Sequence, residues 1–233
     1  MFRQIMLARV KLPEGVGKRG RSLDELLVAA QALLLVRSAG SLSISEIATK
    51  AGMVQGSFYN YFDDIDALID ELGRLFVVHH GLMLKAIVRD AVQPVDVFAL
   101  KTRQTLRIVT GSPAIGRLLF DAGLPVDRFI AALRDDLHAD IVKGMAAGAF
   151  SFSSADLAAS FVSGCLVSVS LDLHRGRIDK TAIDGATQEM LRLLGVPAGK
   201  AKAASHARVE FQPLLKLPLT WLSLANRTKK AKA

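Results

Sequence analysis

The chain has 233 residues, 51% of them hydrophobic and 22% charged, a globular composition long enough to bury a substantial core. A lone cysteine, Cys165, excludes an intrachain disulfide and any Cys-rich metal site. The net charge of +8 sits at the ends: residues 1–21 carry +5 and residues 200–233 carry +7, leaving −4 between them. Basic ends favour a polyanion such as nucleic acid, although charged ends also arise for solubility alone. The uncharged run Leu157–Leu171 has 15 residues and four serines, short of the roughly 20 that a membrane span needs. The apolar stretch Ile5–Ala8 is too short for a signal peptide. A soluble, cytoplasmic protein is expected.

Helical periodicity runs through nearly the whole chain. Ser22-Leu-Asp-Glu25 has the spacing of a capping box, and Leu26, Leu27, Ala30, Leu33 and Leu34 follow at helical intervals to a stop at Gly40. A second box, Ser43-Ile-Ser-Glu46, opens a short helix with Ile44, Ile47, Ala48 and Ala51 on one side, ended by Gly52. Residues 54–62 then read VQGSFYNYF. On a helix, Val54, Phe58 and Phe62 share the inward face, Gln55, Tyr59 and Asn60 the outward one, and Ser57 and Tyr61 the flanks. Two short helices joined by a Gly-containing turn, the second with a small polar outer face, follow the helix-turn-helix plan, whose second helix enters the major groove.

Beyond this stretch a long helix is predicted from about Asp64 to Asp90, with Leu68, Leu72, Phe76, His79 and Met83 along one stripe. Further helices are predicted over 95–109, up to Ala122, and over 126–148, 154–175 and 181–194. Pro197, Pro213 and Pro218 divide the remainder into short pieces. No alternating segment of useful length occurs. The fold class expected is all-α: an N-terminal three-helix helix-turn-helix domain followed by a larger helical ligand-binding and dimerisation domain. The expected boundaries are 1–21 for a basic flexible arm, 22–63 for the helix-turn-helix domain, 64–196 for the larger domain and 197–233 for a basic C-terminal extension.

Catalytic and metal-binding patterns are poorly represented. His79 and His80 are adjacent on a helix and point about 100° apart, so they cannot grip one metal together. Asp63, Asp64 and Asp66 stand where a helix begins and complement its dipole, and Asp135 and Asp136 are expected to face solvent. No phosphate-binding glycine loop, nucleophile elbow or Cys/His pairing is present. No cofactor and no metal are expected. A small all-α enzyme with an incidental helix-turn-helix is the alternative from another class, and a ligand-blind DNA-binding protein a third.

Residues 22–72 resemble the DNA-binding domain of the TetR (tetracycline repressor-like) regulators. The resemblance is carried by Ala29-Ala30 and Leu33-Leu34, by Ile47-Ala48 and Ala51-Gly52, by Gly56-Ser57-Phe58-Tyr59-Asn60-Tyr61-Phe62, and by Leu68. It implies a dimeric, non-enzymatic repressor of transcription. The family commonly has Ser where Val54 stands and Lys where Gln55 and Ile65 stand, so no operator sequence carries over from relatives.

The site expectations follow. Gln55, Tyr59 and Asn60 are expected to read bases, with Gly56 allowing close approach and Ser57 nearby. Ser43, Ser45 and Tyr61 are expected on phosphates, and Arg19 and Arg21 of the arm on a groove or the backbone. A small, largely apolar effector is expected among Phe76, His79, Met83, Phe98, Phe120, Phe129 and Met145, with His79, Arg103 or Arg107 anchoring a polar group. The helices at 154–175 and 181–194 are expected to form the homodimer, with Phe161, Cys165, Leu166 and Val169 as the stripe and Ser163, Gly164 and Ser168 allowing close approach. The partners expected are a near-palindromic double-stranded operator, the effector and a second copy, with no membrane.

Overall fold

The structure, a computed structural model, describes residues 18–124 and 126–224, without the side chains of residues 18 and 126–132. The described residues form helices α1 (Lys18–Leu34), α2 (Ile44–Lys50), α3 (Gln55–Phe58), α4 (Ile65–Ile87), α5 (Pro94–Gly111), α6 (Pro113–Phe120), α7 (Val126–Ala146), α8 (Ala155–His174), α9 (Ala182–Leu193) and α10 (Ala198–Ser205), with a 3₁₀ turn at Ala39–Ser41. No strand occurs among them. The fold is all-α, with the helix-turn-helix elements first and a larger helical part after them. Of the expected arm, residues 1–17 lie outside the described residues.

Two compact units divide the chain at places other than the expected boundaries. One holds residues 1–79, 118–128 and 216–233; the other holds 80–117 and 129–215. The first unit thus keeps the opening turns of α4 and regains the chain at its C-terminal end.

Within the first unit, α1 buries Leu26, Leu27, Ala30 and Leu34, the stripe that the sequence pattern predicts. Its start needs correction. The helix begins at Lys18, so Ser22 stands inside it and the Ser22/Glu25 box is not its N-terminus; Lys and Arg are good helix formers and extend it by a turn. The second box is present. The Ser43 hydroxyl accepts from the Glu46 backbone N–H, and the Glu46 carboxylate accepts from the Ser43 backbone N–H. The Ser43 hydroxyl, ahead of Arg37, also draws the Glu46 carboxyl below its ordinary range. α2 ends because Gly52 takes φ +72°, a left-handed conformation that a side chain would strain.

The second unit is built around Val95 and Phe98 of α5, Ile141 of α7, Ala158 and Val162 of α8, Met190 and Leu191 of α9, and Ala201 of α10. Phe98 and Phe150 meet edge to face at 5.8 Å. Gly144 makes room for that ring, because a Cβ there would lie 2.0 Å from Phe150 Cδ2. The helix α10 therefore belongs to this core rather than to a separate extension. Residues 207–212 are laced onto α5: Arg103 donates to the Asp184 carboxylate (2.9 Å) and the Ala207 carbonyl (2.8 Å). Gln104 pairs with both backbone groups of Gln212 (3.0 and 3.1 Å).

Two further expectations need correction in this unit. Asp136 does not simply face solvent; it accepts from Lys101 at 2.8 Å, beside Asp140. On α8, Cys165, Leu166 and Val169 pack against the unit's own core. The face left exposed carries Leu157, Phe161, Gly164 and Ser168, with Phe161 51% exposed. By length and composition α8 is apolar enough to cross a membrane, although its uncharged run alone is too short, and only 22% of that stretch is buried.

Candidate DNA interface and effector-domain interior

The recognition segment is shorter than its pattern suggests. Only Gln55–Phe58 are α-helical. Turn hydrogen bonds from Asn60 to Ser57 and from Tyr61 to Phe58, then one from Phe62 to Phe58, carry the same winding onward. The predicted faces therefore survive in all but one residue. Phe58 is fully buried, Phe62 nearly so, and their rings are 5.6 Å apart. Gln55, Gly56, Tyr59 and Asn60 are exposed, and Ser57 and Tyr61 are half-buried. The Tyr59 ring stands edge-on to Phe58 at 5.9 Å and is itself 53% exposed.

Val54 is the exception. It was expected inward with Phe58 and Phe62, yet it is 74% exposed. The physical reason is that Val54 is the N-cap, extended at φ −77° and ψ 149°, so the helical phase that places the other two does not reach it. Its side chain makes no capping hydrogen bond. The result is an isopropyl group standing in solvent beside Gln55. At Gly56 an added Cβ would meet nothing within 4 Å among the described residues, so none of them asks for glycine there.

The residues expected on phosphates fall into two groups. Ser45 is exposed, as are Arg19 and Arg21 at the start of α1. Ser43 is exposed too, but its hydroxyl is already engaged: it donates to the Glu46 carboxylate (2.7 Å) and accepts from the Glu46 N–H (3.3 Å). Arg37, which the sequence pattern does not single out, bonds the same carboxylate and the Ser41 carbonyl, tying the turn before α2 to the helix start.

The residues expected around an effector are divided between the units. Phe76, His79 and Phe120 belong to the first; Met83, Phe98, Arg103, Arg107 and Met145 belong to the second. The side chain of Phe129 lies outside the described residues. In the first unit, Phe76 is buried and His79 donates to the Thr220 carbonyl at 3.1 Å. In the second, Phe98 is a core residue and Met145 packs against the same core. Met83 Sδ accepts from Gln104 at 3.2 Å. Two of the three expected polar anchors are thus already occupied, His79 by Thr220 and Arg103 by Asp184 and Ala207. Arg107 differs: it stacks on the Phe211 ring at 4.0 Å, and its buried Nε has no hydrogen-bond partner among the described residues.

Comparison with known proteins agrees with this architecture. Residues 26–72 match the bacterial regulatory proteins of the tetR family. Residues 93–207 match the tetracyclin repressor-like C-terminal domain. Among solved structures, the chain resembles RolR in complex with resorcinol (TM-score 0.66, 24% identity, covering 86% of this chain and 98% of that one). It also resembles the regulator FadR from Bacillus subtilis in complex with stearoyl-CoA (TM-score 0.60, 14% identity, 75% and 97% covered). NemR from E. coli is similar as well (TM-score 0.58, 18% identity, 76% and 100% covered). At these identities the structures speak for the fold. The two family matches span both halves of the chain, and the chain belongs to the TetR family of DNA-binding transcriptional regulators.

Proposed function

We propose that the chain is a cytoplasmic, dimeric repressor that leaves a near-palindromic operator when a small, largely apolar effector binds. The observation that carries the DNA-reading part is the segment 54–62: a polar outer face of Gln55, Tyr59 and Asn60, seated by the buried rings of Phe58 and Phe62. Gln and Asn each offer a donor and an acceptor to adenine N6 and N7, about 1–3 kcal/mol of discrimination per pair. Ser45, Tyr61, Arg19 and Arg21 are assigned to phosphates, which set register without reading sequence. Selection from a randomised duplex pool tests this: Gln55→Ala should lose base preference at one position in each half-site. An unchanged selected sequence removes Gln55 from base reading.

Dimerisation is assigned to α8 and α9. The exposed face Leu157–Phe161–Gly164–Ser168 repeats at helical spacing, and Leu193 at the end of α9 is also exposed. An apolar helix face left open in this way fits a self-complementary two-fold contact, with half-sites about 34–36 Å apart or a multiple of that. Phe161→Glu should convert the dimer to monomer in sedimentation. A wild-type chain that sediments as a monomer at micromolar concentration would overturn the assignment.

The effector is assigned to the second unit, where Met83 and Met145 supply adaptable apolar surface and Arg107 offers a guanidinium whose Nε has no hydrogen-bond partner among the described residues. Coupling between effector and DNA is typically about 1–3 kcal/mol and reciprocal. An apolar metabolite that raises the melting temperature equally with and without the selected duplex is no inducer.

A further inference from the structure

Residues 216–224 lie outside both family matches, which end at residues 72 and 207, yet they return to the first unit and bury Leu219, Trp221 and Leu224. Their packing there is polar as well as apolar. Gln31 of α1 bonds both backbone groups of Leu219, donating to its carbonyl (2.9 Å) and accepting from its N–H (2.8 Å). The two oxygens of Asp24, one on each, accept from the backbone N–H groups of Trp221 (2.8 Å) and Leu222 (2.9 Å). On α4, Glu71 accepts from the Trp221 indole N–H (2.8 Å), Arg74 stacks 4.2 Å over the same ring, and His79 donates to the Thr220 carbonyl.

Five side chains on two helices therefore converge on four consecutive residues. Asp24 and Gln31 are 4% and 2% exposed, and buried polar groups of this kind are costly unless they are bonded. Here the tail supplies both bonds to Asp24 and two of those to Gln31, which also donates to the Leu27 carbonyl one turn back. Because Asp24 lies one turn from Arg21 on α1, whatever fixes Asp24 also fixes the first turn of that helix.

We infer that residues 219–222 are a positioning element for DNA binding: they clamp α1 to α4 and so hold the first turn of α1, with Arg19 and Arg21, in place to meet phosphates. The inference rests on the reading of those two arginines as phosphate-binding. Asp24→Asn is close to isosteric but offers one acceptor where two N–H groups need one each. Trp221→Ala removes the buried ring.

The test measures binding of both full-length variants, across a salt series, to a duplex that the wild-type chain selects from a randomised pool. Arg19→Ala and Arg21→Ala serve as references. A chain that is only less stable loses active molecules without changing the slope of log affinity against log salt. A chain whose arginines are misplaced flattens that slope by about 0.9 for each phosphate it no longer neutralises, with binding about tenfold weaker in roughly 0.1 M salt. Flattening in Asp24→Asn, matched by the arginine variants, is the expected result. If the arginine variants flatten the slope and both clamp variants leave it unchanged, the positioning role is wrong. If the arginine variants themselves leave it unchanged, the phosphate reading fails first and takes the inference with it. Should Trp221→Ala not fold, the isosteric Asp24→Asn alone decides.

Discussion

Phe58→Ala should abolish operator binding while leaving the chain's association state unchanged. The helix α3 is four residues long, far below the length at which a helix holds itself together in water, so its shape depends on what it packs against. Phe58 is its one fully buried side chain, and the ring meets both Tyr59 and Phe62. Truncating a buried Phe to Ala costs about 3–5 kcal/mol, comparable to the whole stability of a small unit. With that seat gone, Gln55, Tyr59 and Asn60 lose their common orientation at once. Gel-shift titration against the selected duplex, paired with sedimentation, reads the two halves of the expectation. Retention of wild-type affinity would mean that the reading face is held by something other than Phe58.

The reading head was legible in the sequence because its determinants are local. The box Ser43/Glu46 needs only a spacing of three, and Phe58 and Phe62 need only a spacing of four; both appear in the fold as predicted. Val54 departs from the pattern for a reason that is also local. A helix pattern gives no sign of which residue is the cap, and one residue of extended backbone turned an inward position outward. The start of α1 failed in the same way, since a good capping box inside a helix looks like a helix start.

What was not legible depends on pairings far apart in the chain. Asp24 and Gln31 sit on an apolar helix, and apart from a Gln31 hydrogen bond to the Leu27 carbonyl one turn back, their partners come 188 to 198 positions later. Arg103 looked like a free cation for an effector because Asp184 is 81 positions away. Apolar periodicity also cannot separate a core from a pocket: Phe98 satisfies either pattern, and here it belongs to the packing of the second unit. The same ambiguity bears on the expected dimer stripe: Cys165 and Val169 lie one position around the helix from the face that stays open, Leu166 lies on the far side, and all three pack against the unit's own core.

The second unit should lose stability as the medium is acidified below the ordinary imidazole range, and His80 contributes to the loss. The ring is 2% exposed, and its Nε2 lies 3.0 Å from the Thr105 hydroxyl. Burial pushes the imidazole down from 6.5 to about 4; the nearby Asp136 carboxylate opposes this and the Lys101 ammonium adds to it. Lys101 itself is pulled down by burial, but the hydrogen bonds it donates to Asp136 and Asp140 outweigh that and hold it above its ordinary value, so the ammonium stays charged throughout. Between the unfolded value of 6.5 and the folded value of about 4, the unfolded chain takes up a proton that the folded chain refuses. Stability therefore falls as pH falls, by about 2 kcal/mol at pH ~5 and about 3 kcal/mol once both forms are protonated. Asp24, raised by its burial, runs the opposite way and gains stability on protonation, though only as the pH approaches the carboxylate range. Denaturant unfolding of the second unit at pH ~7 and pH ~5, followed by amide exchange in α5 and α8, isolates the effect. His80→Gln keeps a polar side chain near Thr105 but cannot take up the proton, so the loss of about 2 kcal/mol between pH ~7 and pH ~5 should be missing from it. A variant as acid-sensitive as the wild type would place the titrating group elsewhere.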